Sequence, residues 1–348
     1  MSYIIRVFLP LIAIIVFVNL YFAHPEGIHT IGGYPIWMKD SKGNHTDQTS
    51  GIFFAGLSDG KKVFVCADDI GKIRRLTIDE RIDPPHLTIT NINFSDEVKT
   101  LFQKFKKVDM EEIVFDSTNN RILLVIEGHE YSSRDPEIYK KKEGVYEITF
   151  NKDILTFDTL KTIKRLTLPE QIYSYTHDNI GFEGFAATKD YFFLGLENYR
   201  KTEYGFTDST MLYIVNKNTN QLKIIGTSDL KITTICGLYA VDDYNLYGID
   251  RNRKSMFYIK FNPDFTVNKC EIKEMNLAIP LHSDIDRIIG IAPESITFDY
   301  NGNIYITQDP WIDFYKPDIA DRKKLSQEEL DNFYNGIPII YKFKNEFN

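Results

Sequence analysis

One phrase recurs five times along the chain and limits what it can fold into. It opens with a small or acidic residue, followed by Gly or a polar residue, a short apolar run, a turn, and a second apolar run. The copies span residues 50–69, 111–128, 180–198, 236–251 and 294–309; the third reads IGFEGFAATKDYFFLGLEN. Their turns (Ser58-Asp59-Gly60, Asn119-Asn120, Thr188-Lys189-Asp190, Asp242-Asp243, Asn301-Gly302) use residues suited to tight hairpins. A third apolar run follows each hairpin, beginning at Lys72, Gly144, Met211, Ser255 and Ile339. Pieces such as the one from Thr162 supply fourth strands. The copies start about 50–70 residues apart, which suits a four-stranded blade.

The chain therefore reads as all-β, a β-propeller of five four-stranded blades, with six as the alternative, preceded by an N-terminal hydrophobic helix. A β-sandwich is the competing architecture, and the regular phrase disfavours it. The last unit has room for three strands. Residues 29–39, HTIGGYPIWMK, are expected to add its fourth and close the ring, which removes open sheet edges. Only residues 325–336 read as helix, with Ser326 as N-cap, Glu329 completing a capping box and Gly336 as the stop.

Residues 1–25 form a separate unit, a signal-anchor or signal peptide, and residues 26–348 the propeller. The apolar run extends from Arg6 to Ala23 with one charge, at its start. Tyr21-Phe22-Ala23 is a poor cleavage site, so an uncleaved anchor is favoured over a cleaved signal. The propeller is then expected outside the cytoplasm, in the periplasm or at the cell surface, attached to the membrane through this helix. Net charge is -8, and no dense stripe of Lys and Arg exists to displace counterions from phosphates, which argues against a nucleic-acid partner. The three cysteines have neither disulfide nor metal spacing.

A hairpin brings the start of its first strand to the end of its second. That pairs Glu183 with Glu197, Glu111 with Glu127, Cys236 with Asp250, Ser50 with Asp68, and Glu294 with Gln308 or Asp309. In a propeller the first strand of each blade lines the central channel. Glu111, Glu183 and Glu294 should therefore meet near the axis, with Asp68, Glu127, Glu197, Asp250 and Asp309 close behind. Two carboxylates 4 Å apart repel by about 4 kcal/mol at an effective dielectric of 20. A bound cation is the favoured remedy, and oxygen-only ligation points to Ca²⁺. Protonation and ion pairs to Arg251, Arg134 or Arg200 are the alternatives.

The phrase openings stand as Ser50-Gly51-Ile52, Glu111-Glu112-Ile113, Glu183-Gly184-Phe185, Cys236-Gly237-Leu238 and Glu294-Ser295-Ile296. They resemble the SdiA-regulated (YjiK-like) family and the related phytase-like esterase domains of secreted bacterial proteins, where Ser-Gly or Glu-Gly opens blade after blade. The resemblance implies an exported, calcium-binding, five-bladed propeller and no particular substrate. Glu112 and Ser295 depart from the usual Gly, and Cys236 from the usual Ser. Cys236 weakens the case for an oxygen ligand from the fourth blade, and is the one cysteine expected to face the site.

Gly56 to Gly60 match the nucleophile-elbow pattern, but both flanks read as strands, so Ser58 is a hairpin residue. His129, His177 and His282 follow or precede the carboxylates and are the candidates for acid–base work. Insertions at residues 128–143, 199–210 and 310–338 leave the second strands and are expected to wall the mouth, with Trp311, Tyr315 and Tyr131 as contact aromatics. The primary reading is a binding or scaffold module for an unidentified small-molecule or surface ligand. The alternative is a metal-dependent hydrolase of esters, lactones or phosphoesters.

Overall fold

The structure, a computed structural model, describes residues 27–130, 137–198 and 207–347. The apolar N-terminal run and Tyr131, Arg134 and Arg200 lie outside the described residues. Among the described residues no helix is long and apolar enough to cross a membrane.

After β1 (Ile36–Trp37), the first blade is β2 (Thr49–Ser58), β3 (Lys61–Asp68), β4 (Lys72–Asp79) and β5 (His86–Asn91). A short β6 (Asn93–Phe94) edges the second blade, formed by β7 (Asp109–Asp116), β8 (Arg121–Glu127), β9 (Gly144–Phe150) and β10 (Thr159–Arg165). The third blade is β11 (Phe182–Ala187), β12 (Tyr191–Leu196), β13 (Met211–Asn216) and β14 (Leu222–Gly226). The fourth is β15 (Gly237–Asp242), β16 (Asn245–Asp250), β17 (Ser255–Phe261) and β18 (Val267–Glu274). The fifth is β19 (Ile291–Phe298), β20 (Ile304–Pro310), β21 (Ile339–Phe343) and, as the sequence leads one to expect, β1, whose Ile36 and Trp37 stand opposite Ile340 and Ile339. Each inner strand touches the next, β2 to β7, β11, β15, β19 and back to β2, so the ring is a closed five-bladed propeller.

In four blades the pairing of the first two strands slips near the strand opening, between Thr49 and Gly51, Met110 and Glu112, Phe182 and Gly184, and Pro293 and Ser295. The residues skipped are Ser50, Glu111, Glu183 and Glu294, the openings of the repeated phrase. A bulge leaves its extra residue out of the ladder and re-aims its side chain. The hairpins therefore bring the expected residues to the same end, but in a shifted register. Asp68 faces Thr49, Glu127 faces Asp109, and Asp309 faces Ala292.

The Gly of the phrase is a packing requirement. A Cβ on Gly51 would lie 2.7 Å from the Ile113 nitrogen, and one on Gly237 2.4 Å from the Glu294 carbonyl oxygen. Inner strands thus meet backbone to backbone around the axis. The two departures from Gly meet each other: the Ser295 hydroxyl donates to Glu112 Oε1 (2.7 Å) and accepts from the Ile52 N–H (2.9 Å). Burial pushes the Glu112 carboxyl well above its usual range, partly offset by Ser295 and by backbone N–H groups of Ile113, Ile52 and Leu238. Those partners belong to four of the five blades, so Glu112 lies across the axis and plugs the channel beneath its mouth.

The apolar core is divided among the blade interfaces, with a separate cluster between each neighbouring pair. The helix expected near the C-terminus is present as Gln327–Tyr334, with its Ser326–Glu329 capping box. It is preceded by a single turn at Ile319–Arg322. A third helix, Asp96–Phe102, was not expected. It is capped by Ser95 and held by Val98 and Phe102 against the core of the first and second blades. In chain order these are α1 (Asp96–Phe102), α2 (Ile319–Arg322) and α3 (Gln327–Tyr334). At seven residues, α1 gives too short a periodic pattern to be read from sequence.

Closure is reinforced at the turn end of the first and fifth blades. Lys62 Nζ bonds Glu80 and Asp299 (2.7 Å each) and the Tyr305 hydroxyl, and Lys342 Nζ reaches Glu80 (2.8 Å). Burial opposes ionisation of both acids. Hydrogen bonds from Asn303 and Lys62 to Asp299, and from Lys342, Lys62 and Tyr305 to Glu80, outweigh it and hold both carboxyls below their usual range. Depressed carboxyls stabilise the fold above their unfolded pKa, near 4, and lose that contribution as pH falls through the folded value. Lys62→Met should therefore destabilise by about 3 kcal/mol at pH 7. The loss should shrink as pH falls below about 4. Urea midpoints measured across that range check both the size and the sign.

Candidate metal centre

The mouth gathers carboxylates from four of the five blades. Asp69, Asp109, Glu111, Glu127, Glu183, Glu197 and Glu294 are buried, and Asp309 is partly so. Among the described residues two cations, Arg251 and Lys107, bind these acids, and they divide the mouth.

One side belongs to Arg251, which follows β16. Its guanidinium binds Glu294 (2.6 Å) and Glu197, and lies 3.4 Å from Glu183. Donor atoms of Glu183, Cys236 and Glu294 lie within 4.8 Å of one another, a spacing that could hold a metal, but Arg251 is already bound to both acids. The ion-pair alternative therefore describes this half of the ring. Burial pushes the Glu294 carboxyl up, and Arg251 only partly offsets it. Cys236 is buried, and burial raises its thiol well above the usual range, so it is no exposed nucleophile. Trp311 covers Arg251, its ring centre 5.8 Å from the guanidinium carbon, so this insertion aromatic does reach the mouth.

On the other side no guanidinium reaches the acids among the described residues. Donor oxygens of Asp109, Glu111 and Glu127 lie within 4.8 Å of one another. Lys107 Nζ binds Asp109 (2.7 Å) and Asp69 (2.9 Å), and His129 Nδ1 lies 2.9 Å from the other Asp109 oxygen. Glu127 accepts from the Gly181 N–H. Glu111 is 9% exposed, and among the described residues it makes no hydrogen bond or ion pair. Burial, then the charges of Asp109, Glu127 and Glu183, push its carboxyl well above the usual range. Glu127 is raised by burial and then by Asp109, Glu197, Glu143 and Glu183. Asp69 is raised to about 6, first by burial. An all-carboxylate donor set with an unpartnered member fits a hard divalent cation such as Ca²⁺.

Other expected site residues are engaged elsewhere. Asp68 pairs with Arg74 and accepts from the Thr49 hydroxyl (3.2 Å) and the Asp47 N–H (3.1 Å). Asp250 accepts from the Thr233 N–H (2.7 Å) and hydroxyl (2.8 Å) and from the Arg253 N–H (3.2 Å). Both staple local turns. Asp309 stays at the mouth, its carboxyl raised by burial and by Asp69. Of the histidines, only His129 joins the carboxylates. His177 is exposed and forms a backbone turn with Ile180. His282 Nε2 pairs with Glu329 on α3 (2.8 Å). Tyr315 is buried as a structural strut, donating to the Ile337 carbonyl and accepting from Gln308 Nε2, both at 2.8 Å. Asp109 and Lys107 were not anticipated. The signal is the Asp-x-Glu spacing of Asp109 and Glu111; the repeated phrase opens only at Glu111, and the bulge there leaves no mark in the sequence.

No protein-family model and no curated protein matches the sequence. Among solved structures, the chain is similar to a PQQ-bound aldose sugar dehydrogenase from Streptomyces coelicolor, at 6% identity and TM-score 0.45, covering 89% of this chain and 96% of that one. It is also similar to a luciferin-regenerating enzyme, at 11% identity and TM-score 0.42, covering 79% and 73% of the two chains. A glucose dehydrogenase gives 9% identity and TM-score 0.42, covering 90% and 100%. Likeness at this level says nothing about the chemistry of the mouth.

Removing one member of a buried ion pair strands its partners. Arg251→Met should therefore destabilise the fold by about 3–5 kcal/mol. Adding Glu197→Gln should recover part of the loss. Urea unfolding of the single and double variants checks this; a loss below about 1 kcal/mol, the size of an exposed pair, would mean that Arg251 is not the counter-ion of this half-ring.

Proposed function

We propose that this chain is an exported, membrane-anchored, calcium-binding propeller of the SdiA-regulated type. Asp109, Glu111 and Glu127 hold the ion, and the mouth around it serves as a binding surface. The observation that carries the reading is Glu111, a buried carboxylate with no hydrogen-bond or ion-pair partner among the described residues, beside two others within ligand spacing. Among the described residues Lys107 and His129 are the basic groups that reach this trio, both through Asp109, and a divalent ion would supply the charge that Glu111 and Glu127 lack. The ligand set is thus narrower than the eight acids marked in the sequence, and it includes Asp109. Glu183, Glu197 and Glu294 have their counter-ion in Arg251.

The two halves of the ring should respond differently to Ca²⁺. A ligand that binds only the folded state adds about 2.7 kcal/mol at 100 times its Kd. Ca²⁺ should raise the melting temperature of the native protein, and Glu111→Gln should remove most of that rise. Glu183→Gln should destabilise by a similar amount with and without Ca²⁺, because its nearest opposite charge is Arg251. Native protein whose melting curve is unchanged by EDTA would overturn the metal assignment.

The hydrolase alternative has one observation in its favour. His129 is buried, with Nδ1 held 2.9 Å from Asp109, next to the carboxylate trio. A carboxylate in that position orients the imidazole and fixes its tautomer. Ca²⁺-dependent turnover of p-nitrophenyl phosphate by the native chain, lost in His129→Gln with Ca²⁺ binding intact, is the result that would select this reading over a binding module.

A further inference from the structure

The insertion between β20 and β21 presents apolar side chains to the outside. Trp311, Ile312, Phe314 and Ile319 are exposed there, as is Ile289 on the connection facing them. Ile289, Phe314 and Ile319 line one groove of about 580 Å³, with Arg287, Lys316 and Arg322 along it. Asp318 and Asp321 also border the groove, but Asp318 caps α2 and Asp321 pairs with Lys324 (3.0 Å). Single exposed apolar residues need no explanation, whereas a contiguous set does. The surface is built on firm ground. The Trp311 N–H donates to the Gly290 carbonyl (3.0 Å), and Ile288 and Tyr315 beneath it belong to the core cluster of the fourth and fifth blades.

A second observation concerns where the chain enters the fold. Ile28 pairs with Met275 and lies in that same core cluster. Lys254 connects the two places: its carbonyl accepts from the Met275 N–H (2.9 Å), and its Nζ donates to the Ile288 carbonyl (2.8 Å). The apolar run of the sequence ends at Ala23, four residues before Gly27. Four extended residues reach about 14 Å at most. An anchor ending at Ala23 therefore leaves the propeller little slack, and the side held closest is the one that carries the groove.

We propose that this groove is the surface on which the propeller rests against the bilayer that holds its own N-terminal segment. This rests on the anchor reading above. Phe314, Ile312, Ile319 and Ile289 enter the boundary between headgroups and acyl chains. Trp311 sits at headgroup level, and Arg287, Lys316 and Arg322 extend to the phosphates. The occupant is a phospholipid surface. The carboxylate mouth, which Trp311 covers, then opens beside the membrane.

The test uses the full chain reconstituted in vesicles of phosphatidylethanolamine and phosphatidylglycerol, with and without brominated acyl chains. Phe314→Trp places a reporter in the groove. Val241→Trp places one in the opposite mouth of the channel, where residue 241 is 57% exposed. The emission added by Phe314→Trp should fall at least twofold in brominated vesicles, and that added by Val241→Trp should not change. Protein that resists carbonate extraction but shows no quenching of the Phe314→Trp signal would overturn the docking surface and leave the anchor standing. Equal quenching of both reporters would also overturn it. Protein that carbonate releases would overturn the anchor, and the docking surface with it.

Discussion

Everything in this molecule follows from how closely the five inner strands approach the axis. At Gly51 and Gly237 they are too close for a methyl group, so backbone meets backbone. Side chains at the strand openings can then be accommodated only at the mouth, and the bulges at Ser50, Glu111, Glu183 and Glu294 send them there. The same crowding makes a plug of the one large polar side chain at a Gly position. Glu112 fills the axis only because Ser295 opposite is small and can donate to it.

Crowding acids in a desolvated ring creates a charge problem, and the molecule solves it unevenly. Arg251 is an internal cation for Glu183, Glu197 and Glu294, fixed by hydrogen bonds that no small ion could give with the same geometry. Lys107 satisfies Asp109 and Asp69 from the rim, but neither it nor any other described cation is bonded to Glu111. A ring that is formally five-fold is therefore chemically two-sided. That asymmetry separates acids bound by Arg251 from a trio whose Glu111 has no bonded cation among the described residues, and it sets His129 beside the trio.

The insertions reinforce the asymmetry. The longest leaves the fifth blade, folds into α2 and α3, and is anchored by Tyr315 and Phe333 in the core between the fourth and fifth blades. Its Trp311 covers the Arg251 side of the mouth, while its apolar residues turn outward. The fifth blade thus carries both the cover of the mouth and an exposed apolar groove.

Five blades, with six as the alternative, were legible in the sequence, as were the third strands, the closing strand, the Ser326 capping box and the end of the propeller at which the acids collect. These are local matters: turn residues, apolar runs and spacing, each written in a few consecutive positions. Which acids are paired and which stand alone is settled only when the ring closes. Arg251 is one of three arginines whose position after a second strand lets it reach the acids, but its binding to Glu197 in the third blade and Glu294 in the fifth is not written in its neighbours. Asp109 became a site residue because a bulge shifted the ladder, and Asp68 and Asp250 left the ring because local donors captured them. A carboxylate's role depends on which opposite charge or N–H lies within about 3 Å of it. In a closed ring those partners come from blades far apart in the chain, so the pattern of acids was legible and their pairing was not.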